Sequence, residues 1–326
     1  MIKPWIFICG FFLCSFACNE FYKMRYLNSM KIIRAEKMGF CAGVRHAVKT
    51  ADSALEEKKN GQVYSFGPLI HNPLALKNFE KRGLKILDEE KISCVKKEDT
   101  VVIRAHGVPP EIKEELEKNG AKVLDGTCPI VQANQKKCAD FAKNGWIIFF
   151  TGDANHGEVI GIEGAARRGA EDAGKKLDFV LVKSVEEAVF EYKKLFSENV
   201  PENCVLISQT TFSVKLFDEI AAVLKEKIPE LKVLRTICPA TYDRQNSLTD
   251  LCKKVDGVLV IGGKNSANTN RLYGKAKSLC AHAALIEKAD EIPEEFFSLE
   301  KVGLTAGAST PDDVIDEVEK TLTKNF

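Results

Sequence analysis

The sequence predicts an α/β protein built from three similar units. Each has about four strands in a mainly parallel sheet, and the three are arranged as a trefoil around one central site. Three observations carry this. A short β-branched run, then a cysteine, then a helix-like segment occurs as KIIRAEKMGFCAG (31–43), AKVLDGTCPIV (121–131) and LKVLRTICPAT (231–241). The segments after each cysteine repeat in the same order, the signature of a repeated structural unit. Strands that alternate with helices imply parallel sheets. The length agrees: 326 residues lie at or past the size where one core stops growing.

The elements follow in order. The first unit, 30–120, opens on KIIR and reaches Cys41 through a short loop. Val44, Val48, Ala51 and Leu55 then recur at helical spacing, and Asn60-Gly61 marks the stop. In the second unit, 121–230, and the third, 231–326, Pro129 and Pro239 directly follow Cys128 and Cys238. Inside a helix a proline costs about 3 kcal/mol, whereas the first turn accepts it. Both cysteines are therefore expected at helix N-caps, just after a strand. The next strands end in glycine and a polar loop: QVYSFGPLIHN, WIIFFTGDANHGE and GVLVIGGKNSANTN. Second helices are expected near 73–82, 158–168 and 270–281. Short strands LKILD, DFVLV and ALIE come next. The last strands are TVVIRAHG, NCVLISQTT and KVGLTAGAST, each leading into a helix.

Composition narrows the function classes. With 45% hydrophobic and 29% charged residues the chain reads as globular. A net charge of +1 without a long basic run gives no reason to expect nucleic acid or an anionic membrane as partner. Eleven cysteines, an odd number scattered along a long chain, argue against a secreted disulfide scaffold and for a cytoplasmic protein. The apolar run PWIFICGFFLCSFAC (4–18) is short for a membrane span, which needs roughly 20 residues. It resembles a signal-peptide core, and SFAC is faintly lipobox-like. Because the first repeat starts at Lys31, residues 1–29 are read as an extension outside the fold, which then begins at Met30.

In parallel α/β sheets, ligands bind beyond the carboxyl ends of the strands. That edge offers Cys41, His71, Asn72 and His106 in unit one. Unit two offers Cys128, His156, Glu158, Thr210 and Thr211, and unit three Cys238, Ser266, Asn268 and Ser309. A thiol at a helix N-terminus has its thiolate favoured by the dipole. Three thiolates suit a soft metal or an iron–sulfur cluster with one corner left open for substrate. The histidines, hydroxyls, amide and helix N-termini suit a phosphate or diphosphate. Glu158 is the one acid on this edge that neighbours a histidine, which makes it the candidate proton donor. Cys94, Cys138, Cys204, Cys252 and Cys280 have no counterparts in all three units and are read as core; His46 and His282 are read as structural. A three-cysteine zinc hydrolase and a non-enzymatic anion-binding module remain alternatives.

GFCAGVRHAV, GPLIHN, RAHGV, DGTCPIV, NHGEVIG, SQTTFS, ICPATYDRQ, GGKNSANTNRL and TAGASTPD, in this order, resemble the motifs of the LytB/IspH family, the 4-hydroxy-3-methylbut-2-enyl diphosphate reductases. The resemblance runs from about Met30 to the C-terminus. It implies a three-lobed fold around one 4Fe–4S cluster ligated by Cys41, Cys128 and Cys238. It implies a diphosphate held among His71, His106, His156, Ser266, Asn268 and Ser309. Glu158 would deliver protons and Thr210 would hold the hydroxyl end of the substrate. The implied reaction is the last step of the methylerythritol phosphate route and yields isopentenyl and dimethylallyl diphosphate. The chain has no dinucleotide fingerprint after its first strand, so the electrons are expected from a ferredoxin or flavodoxin. One departure stands out: many members carry a second serine where this chain has Ala267, which removes one hydroxyl from the diphosphate site.

Overall fold

A computed structural model describes residues 30–58, 60–70, 72–196 and 203–324. The expectations placed on residues 1–29 and on His71 lie outside the described residues. The first repeat contains β1 (Lys31–Arg34), α1 (Ala42–Glu56), β2 (Val63–Phe66), α2 (Pro73–Lys81), β3 (Leu84–Leu87), β4 (Thr100–Ile103) and α3 (Pro110–Lys118). The second contains β5 (Lys122–Asp125), α4 (Pro129–Lys143), β6 (Ile147–Thr151), α5 (Gly157–Asp172), β7 (Phe179–Val182), α6 (Val185–Leu195), β8 (Cys204–Ser208) and α7 (Val214–Lys227). The third contains β9 (Lys232–Val233), α8 (Pro239–Cys252), β10 (Gly257–Ile261), α9 (Ala267–Leu279), β11 (His282–Ile286), β12 (Lys301–Ala306) and α10 (Asp312–Lys324).

These strands form three four-stranded sheets, ordered β3-β2-β4-β5, β7-β6-β8-β9 and β1-β12-β10-β11, with every pairing parallel. The trefoil of parallel α/β lobes expected from the sequence is thus the observed architecture. The repeat of the sequence and the sheet of the fold are nevertheless out of phase by one strand. The strand that leads to each cysteine is the edge strand of the preceding sheet: β5 pairs β4, β9 pairs β8, and β1 closes the ring on β12.

Helices cover both faces of each sheet, so the central strands are buried on both sides and read as continuous apolar runs. CVLIS and GVLVI are buried at every position. Alternation sorts their side chains. Phe149 and Leu206 pack on α6 and α7, whereas Phe150, Val205 and Ile207 pack on α4 and α5. The other lobes repeat this, with α1 and α2, or α8 and α9, on the face that carries the cysteine helix, and α3 or α10 opposite.

The helix α6 and the 3₁₀ turns at Glu89–Cys94, Ala289–Glu291 and Glu294–Ser298 fill the link between the third and fourth strands of each unit, where the sequence reading assigned nothing. For α6 the signal was present in the Ser-x-x-Glu spacing: Ser184, the N-cap, accepts from the Glu187 N–H, and the Glu187 carboxylate accepts from the N–H of Lys183, one residue before the N-cap of a strict capping box. Among the described residues no helix is long and apolar enough to cross a membrane.

Candidate active site

Strand order reverses between β2 and β4, between β6 and β8, and between β10 and β12. A crevice opens at such a switch point, beyond the carboxyl ends of the strands. The loops at the three switch points converge on one cavity of about 100 Å³. Cys41, Cys128, Cys238, His106, His156, Glu158, Thr210, Ser266, Asn268 and Ser309 all line it. Thr211 lines it too, whereas Asn72, also expected on this edge, is buried as the N-cap of α2, accepting from the Ala75 N–H at 2.9 Å.

Cys41, Cys128 and Cys238 are the N-caps of α1, α4 and α8. Their backbone amides donate to Ala308 O (3.2 Å), Ala105 O (3.0 Å) and Thr210 O (2.8 Å) respectively. Each thiol is thus anchored to the loop after the fourth strand of the neighbouring lobe. The Val44 N–H donates to Cys41 Sγ at 3.4 Å. Burial pushes the Cys128 and Cys238 thiols up, while amides in the first turns of their own helices pull them down. The neighbouring cysteine sulfurs resist further negative charge on Cys128, as Cys41 does on Cys238. A bound cation would reverse that repulsion and release the protons. Gly43 gives the sulfurs room: a Cβ there would stand 2.5 Å from Cys128 Sγ. Among the described residues no three Cys, His, Asp or Glu side chains stand together closely enough to enclose a single metal ion.

The second helices present a different set of N-caps. His156 caps α5, its Nδ1 accepting from the Glu158 N–H at 3.2 Å. Asn155 before it takes a left-handed φ of 62°, which asparagine tolerates. Ser266 caps α9 by accepting from the Thr269 N–H at 3.3 Å. The His106 and His156 rings lie 4.8 Å apart. The Asn268 amide nitrogen and the Ser309 hydroxyl are buried with no hydrogen-bond partner among the described residues. Buried donors of this kind are rarely left unpaired, and here they face a cavity. Donors, imidazoles and helix N-termini together suit an anion with several oxygens.

Glu158 is 1% exposed. Its Oε1 accepts from the Thr210 N–H and its Oε2 from the Thr210 hydroxyl, both at 2.7 Å. Burial raises its carboxyl from the ordinary 4.5 to about 7, although the Thr210 hydrogen bonds and the Arg271 guanidinium oppose the shift. Half protonated near neutrality, it is poised to give a proton to a group beside Thr210.

Sequence reasoning missed two arginines. Arg244 lines the cavity and donates to Ala240 O (3.0 Å) and Gly39 O (2.6 Å), facing the Cys41 and Cys238 sulfurs. Its spacing was a usable signal, because Cys238, Thr241 and Arg244 recur every three residues along one helix face. Arg271 joins Asp153 (2.6 Å) to Thr211 (3.0 Å) and so ties the third lobe to the loop that holds Glu158. No local pattern announces that contact. Of the five cysteines read as core, Cys138 and Cys204 are buried and Cys252 and Cys280 half-buried, but Cys94 is exposed at the end of a 3₁₀ turn. His46 is exposed on α1, and the His282 imidazole lies 3.6 Å from the Glu295 carboxylate.

The profile of the LytB protein family matches residues 32–323. The chain belongs to the LytB family. A curated relative from Treponema denticola, named 4-hydroxy-3-methylbut-2-enyl diphosphate reductase, is 46% identical over 298 residues, covering 90% of this chain and 99% of its own. LytB relatives of the same name from Treponema pallidum and Aquifex aeolicus are 40% and 39% identical, over 92% and 88% of this chain and 85% and 94% of theirs. A solved structure of the (E)-4-hydroxy-3-methyl-but-2-enyl diphosphate reductase, described as the terminal enzyme of the non-mevalonate pathway, is similar with a TM-score of 0.66 at 38% identity. It covers 90% of this chain and 99% of that one. The Plasmodium falciparum reductase structure gives a TM-score of 0.78 at 26% identity, with 91% and 88% covered.

Proposed function

We propose that this LytB-family chain is a 4-hydroxy-3-methylbut-2-enyl diphosphate reductase that holds one 4Fe–4S cluster on Cys41, Cys128 and Cys238. The observation that carries the reading is the meeting, in one cavity, of three N-cap thiols with a buried carboxyl titrating near 7 and unpaired hydrogen-bond donors. The donor set fits the group: three soft ligands on three helix N-termini leave a fourth coordination corner for substrate.

When bound, the cluster supplies electrons and a Lewis-acidic iron at that corner. The rest is work for the side chains. His106, His156, Ser266, Asn268 and Ser309 hold the diphosphate, and His71 joins them by the family motif. Ala267 leaves its place to the backbone of the first turn of α9. The alcohol end then points toward Thr210, whose hydroxyl links it to Glu158. Glu158 gives the proton that turns the leaving hydroxyl into water. Two electrons and two protons convert the allylic alcohol into isopentenyl or dimethylallyl diphosphate plus one water. The electrons come from a ferredoxin or flavodoxin.

The test is anaerobic purification with iron and sulfide analysis, followed by turnover with a strong artificial reductant. Wild-type protein should be brown and carry four irons per chain in this reading. Replacing Cys41, Cys128 or Cys238 by serine should remove most of the iron and the activity, whereas Cys138→Ser or Cys252→Ser should not. Full iron content in Cys128→Ser would refute the ligand assignment.

A further inference from the structure

Arg104 is the first residue after β4 and stands two positions before His106. Its guanidinium fills the space left by two glycines. A Cβ on Gly157 would stand 2.6 Å from Nη2, and one on Gly67 would stand 2.9 Å from Nη1. Its Nε is buried with no hydrogen-bond partner among the described residues. Burial lowers the pKa of the guanidinium, and among the described residues no carboxylate offsets it. The other enclosed arginines differ: Arg271 pairs with Asp153, and Arg244 bonds two carbonyls beside the thiols. Arg104 is half-buried with its Nε enclosed; a charge so placed without a counter-ion is unfavourable, and arginine does not escape by losing its proton.

The surroundings indicate where its counter-charge belongs. Gly157 is the first residue of α5, between His156 and Glu158, so the positive end of that helix adds to the field of Arg104. His106 and His156 line the cavity directly in front. The geometry points to Arg104 as the positioning cation for a diphosphate-type anion bound beside His106 and His156. It acts from behind the first turn of α5, its guanidinium lying in the space left open by Gly157 and by Gly67, whose φ of 67° itself favours glycine. This rests on the proposed reductase reading for the identity of the anion, but not for the existence of the anion site.

Inorganic pyrophosphate is the probe. Anaerobically prepared wild-type, Arg104→Met and Arg104→Lys proteins are titrated calorimetrically at two salt concentrations and melted with and without pyrophosphate. Without the anion, Arg104→Met should melt no lower than wild type, because the cation has no partner to lose. It should bind pyrophosphate at least tenfold more weakly and with a shallower salt dependence, and Arg104→Lys should lie between. Wild-type affinity in Arg104→Met overturns the inference. So does a lower melting temperature, or failure to fold, without the anion, since that marks a role in the fold. If wild type binds pyrophosphate but does not reduce the alcohol, the proposed function fails and the Arg104 comparison still stands on its own.

Discussion

Glu158 is a carboxyl whose function conflicts with its surroundings. Two Thr210 hydrogen bonds favour the charged form, and burial outweighs them. Its proton is held more tightly in the fold than in the unfolded chain. The stabilisation this gives is complete at low pH and is lost as pH rises from about 4.5 to about 7. Glu158→Gln keeps the shape and removes the acid. Turnover with artificial reductant should fall about 10²–10⁴-fold, the worth of a positioned general acid, with iron content unchanged. Melts at pH 5.5 and 8 should show the loss of stability across this window in wild type and its disappearance in the variant. Near-normal turnover would assign the proton to another group. Gly43 offers a second test. Its missing Cβ is the clearance for Cys128 Sγ, so Gly43→Ala should displace α1 or the sulfur. Iron per chain should drop well below wild type while far-ultraviolet circular dichroism stays the same.

At the scale of elements, the N-cap is the common device. Cys41, Cys128, Cys238, His156 and Ser266 each stand where a strand has ended and a helix has not yet begun. The polar atoms that helix geometry leaves free are thereby aimed at the cavity. The second sheet shows how little strand suffices when a side chain substitutes. The β8–β9 ladder pairs only two residues, and Thr236 extends it: its hydroxyl accepts from the Ser208 N–H at 2.9 Å and donates to Ser208 O at 2.8 Å. Thr236→Val keeps the volume but strands both backbone groups in a buried place. It should cost about 1–3 kcal/mol in urea unfolding, the penalty for an unpaired buried group. Because Cys238 follows by two residues, iron retention should weaken as well.

On the scale of the whole molecule, the three lobes close a ring by lending strands. β1 lies at the start of the described chain and pairs with β12 near its end, through the register Lys31–Lys301 to Arg34–Leu304. The repeat 30–120 therefore holds one strand without its sheet and lacks β5, which completes its own. Expressed alone, residues 30–120 should show no cooperative melting transition and little amide protection. Residues 30–326 should fold, bind iron and turn over as the full chain does, because the first strand begins at Lys31. A well-protected isolated fragment would mean that the ring is not needed for the lobe.

The sequence by itself determined the strands, the cysteine N-caps and nearly the whole polar edge of the cavity. These depend on short-range signals: β-branched runs, Pro129 and Pro239 after a cysteine, and Asn, His, Ser and Gly where helices start. It also carried the threefold pattern, since a repeated order of elements is visible without coordinates. Tertiary structure alone decided the rest. Which sheet accepts each cysteine strand depends on hydrogen bonds between residues as far apart as Arg34 and Leu304. The acidity of Glu158 is set by burial working against hydrogen bonds from Thr210, 52 residues away. The same is true of Arg104 and Arg271, whose neighbours come from other lobes or loops. Periodicity and capping act within a few residues along the chain, whereas burial and charge depend on what the fold brings near.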